Sequence, residues 1–296
     1  MKTGNAHDEL KRVQATTDYL LQPSEDGWII GHFSNNRLSS VFQPVVDANT
    51  RQVIGHAAYV RCEPDHKNVV SPWDIFALAA EDTLLVKLDR LCRTLHAINY
   101  FSIASGPGNL FVSVQPRLLE SVKDDHGRAF KEILDLIGIQ TSRVVIEIPS
   151  GVNRDWRLLK HVISNYRSRG YRIATNHSGA NGDWLAELAS LYPLYPDMIR
   201  LEAPVLLKQG GMRSLVDAIH HFGAQVLVHE IETTQQLDAA LHAGADFLQG
   251  SLLGIPAQSI EVEAIAPHLA SAEKLTASSW PLSKNPVAVG VQDVYV

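Results

Sequence analysis

Residues that could do chemistry lie at or just after the ends of several apolar, strand-like runs of this 296-residue chain. Arginine suits phosphate groups because its planar guanidinium stays charged and donates several hydrogen bonds. Imidazole and carboxylate side chains are ligands that Zn²⁺ and similar ions accept. If the runs are strands of one barrel, their carboxyl ends meet at one mouth, where these side chains could converge. The arginines are Arg61 and Arg200, and the candidate metal ligands are Glu147, His177, Glu202 and His229.

Each of these residues also has an ordinary structural interpretation. Arg61 could form a salt bridge at the barrel mouth instead of binding a phosphate, because arginine serves both purposes. A buried carboxylate needs a partner, so Glu147 is expected to pair with Arg61 or Arg200 rather than with a metal ion. The two histidines could simply be hydrogen-bonded polar residues.

The order of elements predicts a TIM-like (β/α)8 barrel. Apolar runs alternate with amphipathic stretches after residue 40, which is typical of a parallel sheet, and eight strands favour a barrel. A tight turn at residues 48–51 requires the first two strands to be antiparallel. No G-x-G-x-x-G follows a strand, which disfavours a doubly wound sheet. The predicted strands are 41–46, 53–60, 109–114, 144–148, 171–175, 198–201, 225–229 and 247–249, and the helices 72–98, 118–137, 155–169, 184–192, 204–222 and 234–243.

The predicted organisation has three parts. Residues 1–36 form a polar lead-in with a short helix at 8–21, which is either loosely packed or contacts a partner or a second copy. Residues 37–273 form the barrel domain. Residues 274–296 form an extended tail that contains two prolines.

Composition excludes several classes of function. A net charge of -6 and a pI near 6.1 argue against general nucleic-acid binding and against binding to membrane surfaces. Neither a secretory signal nor an apolar run long enough to span a membrane is found. Two cysteines, Cys62 and Cys92, are expected to be reduced thiols, which favours a cytoplasmic location.

The hairpin at residues 41–61 resembles the opening hairpin of EAL domains, a family of bacterial cyclic di-GMP phosphodiesterases with a barrel whose first strand is antiparallel. The segment 43–47, QPVVD, is similar to the family's Q-P-I-V-D, and 55–61, GHAAYVR, is similar to G-x-E-A-L-x-R. Further blocks follow in family order. They are 110–117 (LFVSVQPR), 146–150 (IEIPS), 173–179 (IATNHSG), 199–202 (IRLE), 228–233 (VHEIET) and 248–256 (LQGSLLGIP).

The resemblance implies a site at which acidic side chains hold two divalent cations and a metal-bound hydroxide attacks the phosphodiester. Most of the implied ligands are replaced in this chain, and only Glu147 remains of the strict set. Arg200 takes the place of a lysine that assists the attacking water, and an arginine stays protonated. The other replacements are Ala57 for a glutamate, Ser113 for an asparagine, Asn176 and His177 for paired aspartates, Glu202 for an aspartate and His229 for a glutamate.

These replacements predict a protein that is not an enzyme, holds no cofactor or metal ion, and acts in bacterial signalling by binding. The expected partners are cyclic di-GMP, a regulatory protein, or a second copy in a homodimer. The alternatives are a phosphodiesterase with a rebuilt metal site and an interaction scaffold that never binds nucleotide. The resemblance implies that Arg61 contacts a substrate phosphate and that other residues keep the frame of the binding surface. With Arg200 nearby, the predicted ligand-binding residues are Arg61, Gln43, Arg200, Gln249 and Pro256.

Overall fold

The computed structural model describes residues 3–64, 75–77, 79, 81–104, 106, 108–121, 126–149, 155–177, 194–208 and 212–260. Its sheet contains ten strands. The strands are β1 (Leu21–Pro23), β2 (Ile29–Phe33), β3 (Asn36–Asp47), β4 (Val53–Pro64), β5 (Asn109–Ser113), β6 (Val144–Ile148), β7 (Arg172–His177), β8 (Met198–Glu202), β9 (Gln225–His229) and β10 (Phe247–Gln249).

Strands β3 to β10 close into a barrel, which confirms the predicted fold class. Their order around the ring is β3-β10-β9-β8-β7-β6-β5-β4, and the pairing of β3 with β4 closes it. β3 is antiparallel to both of its neighbours, as the tight turn after it requires. The remaining neighbours are parallel, so the strands from β4 to β10 all point toward one end of the barrel.

The described helices begin and end at residues with clear local signals. Asp155 caps its helix by accepting hydrogen bonds from the backbone of residues 157 and 158, and Thr233 forms a capping box with Gln236. Gly244 ends a helix with a left-handed φ of 90°. The helices are α1 (Thr3–Thr16), α2 (Asp82–Ala97), α3 (Pro116–Ser121), α4 (Arg128–Leu136), α5 (Trp156–Ser168), α6 (Ala203–Lys208), α7 (Met212–His221) and α8 (Thr234–Ala243), with a π-helix at Ile98–Ile103 and a 3₁₀ turn at Thr141–Arg143.

The predicted helices differ from the structure mainly in their continuity. The amphipathic stretches 118–137 and 204–222 each correspond to two described helices, α3 with α4 and α6 with α7. The stretch 234–243 coincides with α8. The predicted helix at 184–192 lies outside the described residues.

The N-terminal segment packs against the barrel domain, so the loosely packed interpretation is wrong. Leu10 and Val13 of α1 are buried in the main core, and the helix spans Thr3–Thr16 rather than 8–21. β2 pairs with the start of β3, and β1 pairs with β2, which extends the barrel's sheet by a hairpin. The proposed boundary after residue 36 therefore falls just inside β3, and the tail predicted at 274–296 lies outside the described residues.

The main hydrophobic core lies between the outer face of the barrel strands and the surrounding helices. It includes Phe42 of β3 and Leu88 and Leu95 of α2, all almost fully buried. Cys62 and Cys92 are buried free thiols. None of the described helices is both long enough and apolar enough to cross a membrane.

Candidate functional site

The barrel interior is built in layers because side chains along a strand alternate between its two faces. One inner layer is apolar and is formed by one residue from each barrel strand. Ala57, at the position where the resemblance implies a metal-binding glutamate, lies in this layer and is 1% exposed. The layer consists of Val45, Ala57, Phe111, Val145, Ala174, Met198, Leu227 and Phe247.

One step further toward the carboxyl ends of the parallel strands, the inward-facing residues are polar. On β4 to β10 each lies two residues after its apolar counterpart, and on the antiparallel β3 it lies two residues before. We call this set the polar ring. It consists of Gln43, Tyr59, Ser113, Glu147, Asn176, Arg200, His229 and Gln249.

Arg200 contacts three other members of the polar ring and is 1% exposed. Its Nη1 lies 3.1 Å from Glu147 Oε2 and donates to Asn176 Oδ1 at 3.2 Å. Its Nη2 donates to Gln249 Oε1 at 3.3 Å. The Ser113 hydroxyl also donates to Glu147 Oε2. Glu147 is thus neutralised by a buried cation inside the chain, and of the two arginines considered as its partner it pairs with Arg200.

A second group of contacts joins the polar ring to the loop after β10. Gln249 Nε2 donates to Tyr59 Oη at 2.7 Å and to Gln43 Oε1 at 2.9 Å. Gln43 Nε2 donates to the carbonyl of Gly254 at 3.0 Å. A Cβ at Gly254 would come within 2.6 Å of the Pro44 ring, so this loop lies directly against β3. The two glutamines therefore position the mouth, and their amides are already bonded within the chain.

His229 supplies a neutral imidazole to the polar ring. Burial, and then the positive charge of Arg200, hold its pKa well below the usual range. Its Nδ1 lies 3.6 Å from Oε1 of the adjacent Glu230. A neutral imidazole has one nitrogen that can accept a hydrogen bond, so His229 is a polar member of the ring that carries no charge.

The four candidate metal ligands do not form a cluster. Alternation along β7 places His177 on the face opposite Asn176, toward the helices, where it is 2% exposed. Glu202 lies two residues beyond Arg200, at the end of β8. Among the described residues, no three His, Cys, Asp or Glu side chains are grouped so that they could hold a metal ion. The donor set therefore does not fit a metal pair, and a guanidinium lies against the one carboxylate of the polar ring.

The remaining predicted ligand residues lie at the rim of the mouth. Arg61 follows Tyr59 by two residues on β4, shares its inward face, and is exposed. Its guanidinium makes no hydrogen bond or ion pair with any residue that the structure describes. Pro256 is half-buried and follows Ile255, which is 71% exposed. Among the residues that the structure describes, Arg61 is therefore a rim cation whose charge is open to an anion.

Sequence reasoning missed Tyr59 as a member of the site. It was regarded only as a replacement for a leucine, whereas its hydroxyl links Gln43 and Gln249. The signal that could have identified it is the alternation of side chains along a strand, which repeats every two residues. If Ala57 faces inward, Tyr59 must also face inward. The same period would have separated His177 from Asn176.

The fold and the polar ring define the class of protein: this is a β/α barrel whose candidate site lies in the mouth formed by the carboxyl ends of the strands. The chain belongs to the EAL domain family, whose model matches residues 29–256. It is 26% identical over 230 residues to the uncharacterized EAL-domain containing protein YkuI of Bacillus subtilis, which covers 74% of this chain and 54% of YkuI. It is also 26% identical over 196 residues to the "Probable cyclic di-GMP phosphodiesterase PdeI" of Escherichia coli, covering 62% of this chain and 24% of PdeI. The chain thus spans about half of YkuI and a quarter of PdeI.

Solved structures show the same fold. The crystal structure of Bacillus subtilis YkuI in complex with cyclic di-GMP and calcium has a TM-score of 0.67 at 23% identity, covering 80% of this chain and 60% of that one. The calcium and cyclic di-GMP complex of Klebsiella pneumoniae BlrP1 has a TM-score of 0.65 at 20% identity, covering 82% and 60%. A standalone EAL protein of Vibrio cholerae O395 bound to cyclic di-GMP has a TM-score of 0.63 at 17% identity, covering 76% and 94%.

The prediction that the chain is not an enzyme is wrong. The family match and the relationship to PdeI, a probable cyclic di-GMP phosphodiesterase, contradict it. That prediction counted only the side chains that match the ligands implied by the resemblance.

Proposed function

We propose that the barrel mouth binds cyclic di-GMP and that Arg61 contacts one of its phosphates. The family membership supports this ligand, as do the complexes of YkuI and of the Vibrio cholerae protein with cyclic di-GMP. A guanidinium and a phosphate form charge-assisted, often bidentate hydrogen bonds. Arg61 is exposed on the inward face of β4, which suits such a contact.

The main support for the proposal is the charge balance of the mouth. The polar ring contains a single carboxylate, Glu147, and Arg200 already neutralises it at 3.1 Å. His229 is neutral because its pKa is depressed. An anionic phosphodiester entering the mouth therefore meets no uncompensated negative charge in the polar ring, and it meets the positive charge of Arg61.

The other predicted ligand residues have supporting tasks in this proposal. Gln43 and Gln249 hold each other, Tyr59 and the loop at Gly254, and so keep the mouth in one shape. Pro256 lies in the same loop, whose next residue, Ala257, exchanges backbone hydrogen bonds with Phe42. Arg200 acts by neutralising Glu147 rather than by direct contact with the ligand.

Titration calorimetry with cyclic di-GMP tests the proposal. A charge-assisted hydrogen bond contributes roughly 1.5–3 kcal/mol, so Arg61→Ala should weaken the affinity by about tenfold or more. Arg12→Ala removes an exposed arginine of α1 and is the matched control, with unchanged affinity expected. Wild-type protein that fails to bind at high micromolar nucleotide would contradict the proposal. Equal affinity of the wild type and Arg61→Ala would show that the phosphate lies elsewhere.

We also propose a cytoplasmic location, since Cys62 and Cys92 are buried free thiols of the kind found in reducing compartments. A regulatory protein and a second copy of the chain are proposed as further partners. Light scattering of the purified protein, with and without nucleotide, distinguishes a homodimer from a monomer.

A further inference from the structure

The guanidinium of Arg200 lies in a cradle of side-chain oxygens supplied by three different strands. Glu147 Oε2 and Asn176 Oδ1 lie 3.1 and 3.2 Å from Nη1, and Gln249 Oε1 lies 3.3 Å from Nη2. Ser113 Oγ is hydrogen-bonded to the same carboxylate oxygen. Carboxylate, amide and hydroxyl oxygens are the donors that hard divalent cations prefer. The cradle therefore has the chemistry of a cation site, and the cation it holds belongs to the chain.

A second cation has no favourable place beside this one. Arg200 and Glu147 are 1% and 4% exposed, so charges between them are poorly screened by water. A divalent ion at Glu147 would lie within a few ångströms of a permanently charged guanidinium and would be repelled. No group of three His, Cys, Asp or Glu side chains among the described residues is placed to compensate for this repulsion.

We propose that the guanidinium of Arg200, rather than a metal ion, neutralises Glu147 in the barrel mouth, so that anionic ligands enter without a divalent cation. The statement about ligand entry (the ligand part) rests on the proposed function. The statement that Arg200 neutralises Glu147 without a metal ion (the cation part) concerns the protein alone. Arg200 is in this sense a positioning residue: it acts on the ligand through Glu147, Asn176 and Gln249, the side chains that it orients.

The cation part is tested without nucleotide, by calorimetric titration with Mn²⁺ and Ca²⁺ and by thermal unfolding with and without chelator. Wild-type protein should bind neither ion, and its Tm should not respond to chelator. Arg200→Ala should have a lower Tm because it leaves Glu147 buried and uncompensated. It should also bind Ca²⁺ or Mn²⁺ at least about tenfold more tightly than wild type, because the repulsion is gone and the oxygen cradle is open.

Three further variants make the result specific. The double variant Arg200→Ala/Glu147→Gln should lose the gained metal affinity, since the cradle's carboxylate is removed. Arg157→Ala removes an exposed arginine of α5 and should behave as wild type. Arg200→Lys keeps a cation in the cradle, and it should remain insensitive to metal even if Arg200→Ala fails to fold.

Wild-type protein that binds Mn²⁺ or Ca²⁺, with the binding abolished by Glu147→Gln, would overturn the inference. A folded Arg200→Ala variant with no gain in metal affinity would also overturn it, because the cradle would then not be a cation site. Cyclic di-GMP titrations with and without chelator form a separate arm, in which equal affinities are expected. If wild type binds no nucleotide at all, the proposed function fails while the metal titrations still decide the role of Arg200.

Discussion

A buried histidine outside the mouth makes the stability of the protein depend on pH in a calculable way. His96 of α2 is fully buried, and its Nδ1 lies 2.8 Å from the hydroxyl oxygen of Ser40 on β3. Burial, and then the nearby charge of Arg93, lower its pKa to about 3. The folded protein therefore keeps this imidazole neutral through the mildly acidic range, whereas the unfolded chain protonates it below about pH 6.5.

The direction and size of the effect follow from proton linkage. Between pH 6.5 and 3 the unfolded state binds more protons than the folded state at His96, so the free energy of unfolding falls as the pH falls. With an unfolded pKa of about 6.5 and a folded pKa of about 3, His96 alone costs about 2 kcal/mol at pH 5 relative to neutral pH. His56, whose pKa burial lowers to about 4, adds a similar loss.

Urea unfolding of wild type and of His96→Gln at pH 7 and pH 5 isolates this contribution. Glutamine keeps a polar side chain opposite Ser40 but does not titrate, so the variant should lose about 2 kcal/mol less than wild type between the two pH values. Comparing these differences cancels the fixed effect of the substitution and the contribution of His56. His7→Gln, at an exposed position of α1, is the control. A parallel fall of wild type and His96→Gln would refute the assignment of a neutral, buried His96.

Two further predictions concern the segment after β9. Thr233→Ala removes the capping box of α8 and should lower the free energy of unfolding by about 1 kcal/mol. Thr234→Ala, at the next and exposed position, is the control and should change it little. Equal losses in the two variants would contradict the cap. Glu230 has a left-handed φ of 61°, so Glu230→Gly should be more stable than Glu230→Ala by about 1 kcal/mol in urea unfolding. Equal stability of these two variants would show that the backbone there is not strained.

The barrel was predictable because its signals are local. Each strand is a short apolar run, the turn after β3 permits only an antiparallel neighbour, and residues such as Thr233 and Gly244 mark helix ends in the sequence itself. The packing of the N-terminal segment was not predictable in this way. Leu10 and Val13 are two apolar residues in a polar helix, and their burial depends on a surface that the distant core supplies.

The site was predicted less well because its key relations join residues far apart in the chain. Glu147 with Arg200, and Gln43 with Gln249, are contacts between strands that only the closed barrel brings together. The sequence patterns did identify these four residues as candidates for the site. It left open whether Glu147 pairs with Arg61 or Arg200, and this choice decides which arginine is open to a ligand.

The side chains of the polar ring differ from those that the family resemblance implies, and charge balance explains why the ring is still stable. In a nearly closed barrel interior an isolated charge is costly, so each buried carboxylate needs a cation within contact distance. Where several acids surround a site, metal ions can supply that charge. Here the polar ring has one carboxylate, Glu147, and one buried guanidinium, Arg200, at 3.1 Å. The amide oxygens of Asn176 and Gln249 accept hydrogen bonds from Nη1 and Nη2 of the guanidinium without adding charge. Because the resemblance implies a lysine at position 200, the cation there is not new. The change is the replacement of most acids by neutral groups, which leaves Glu147 paired with Arg200 and the polar ring neutral.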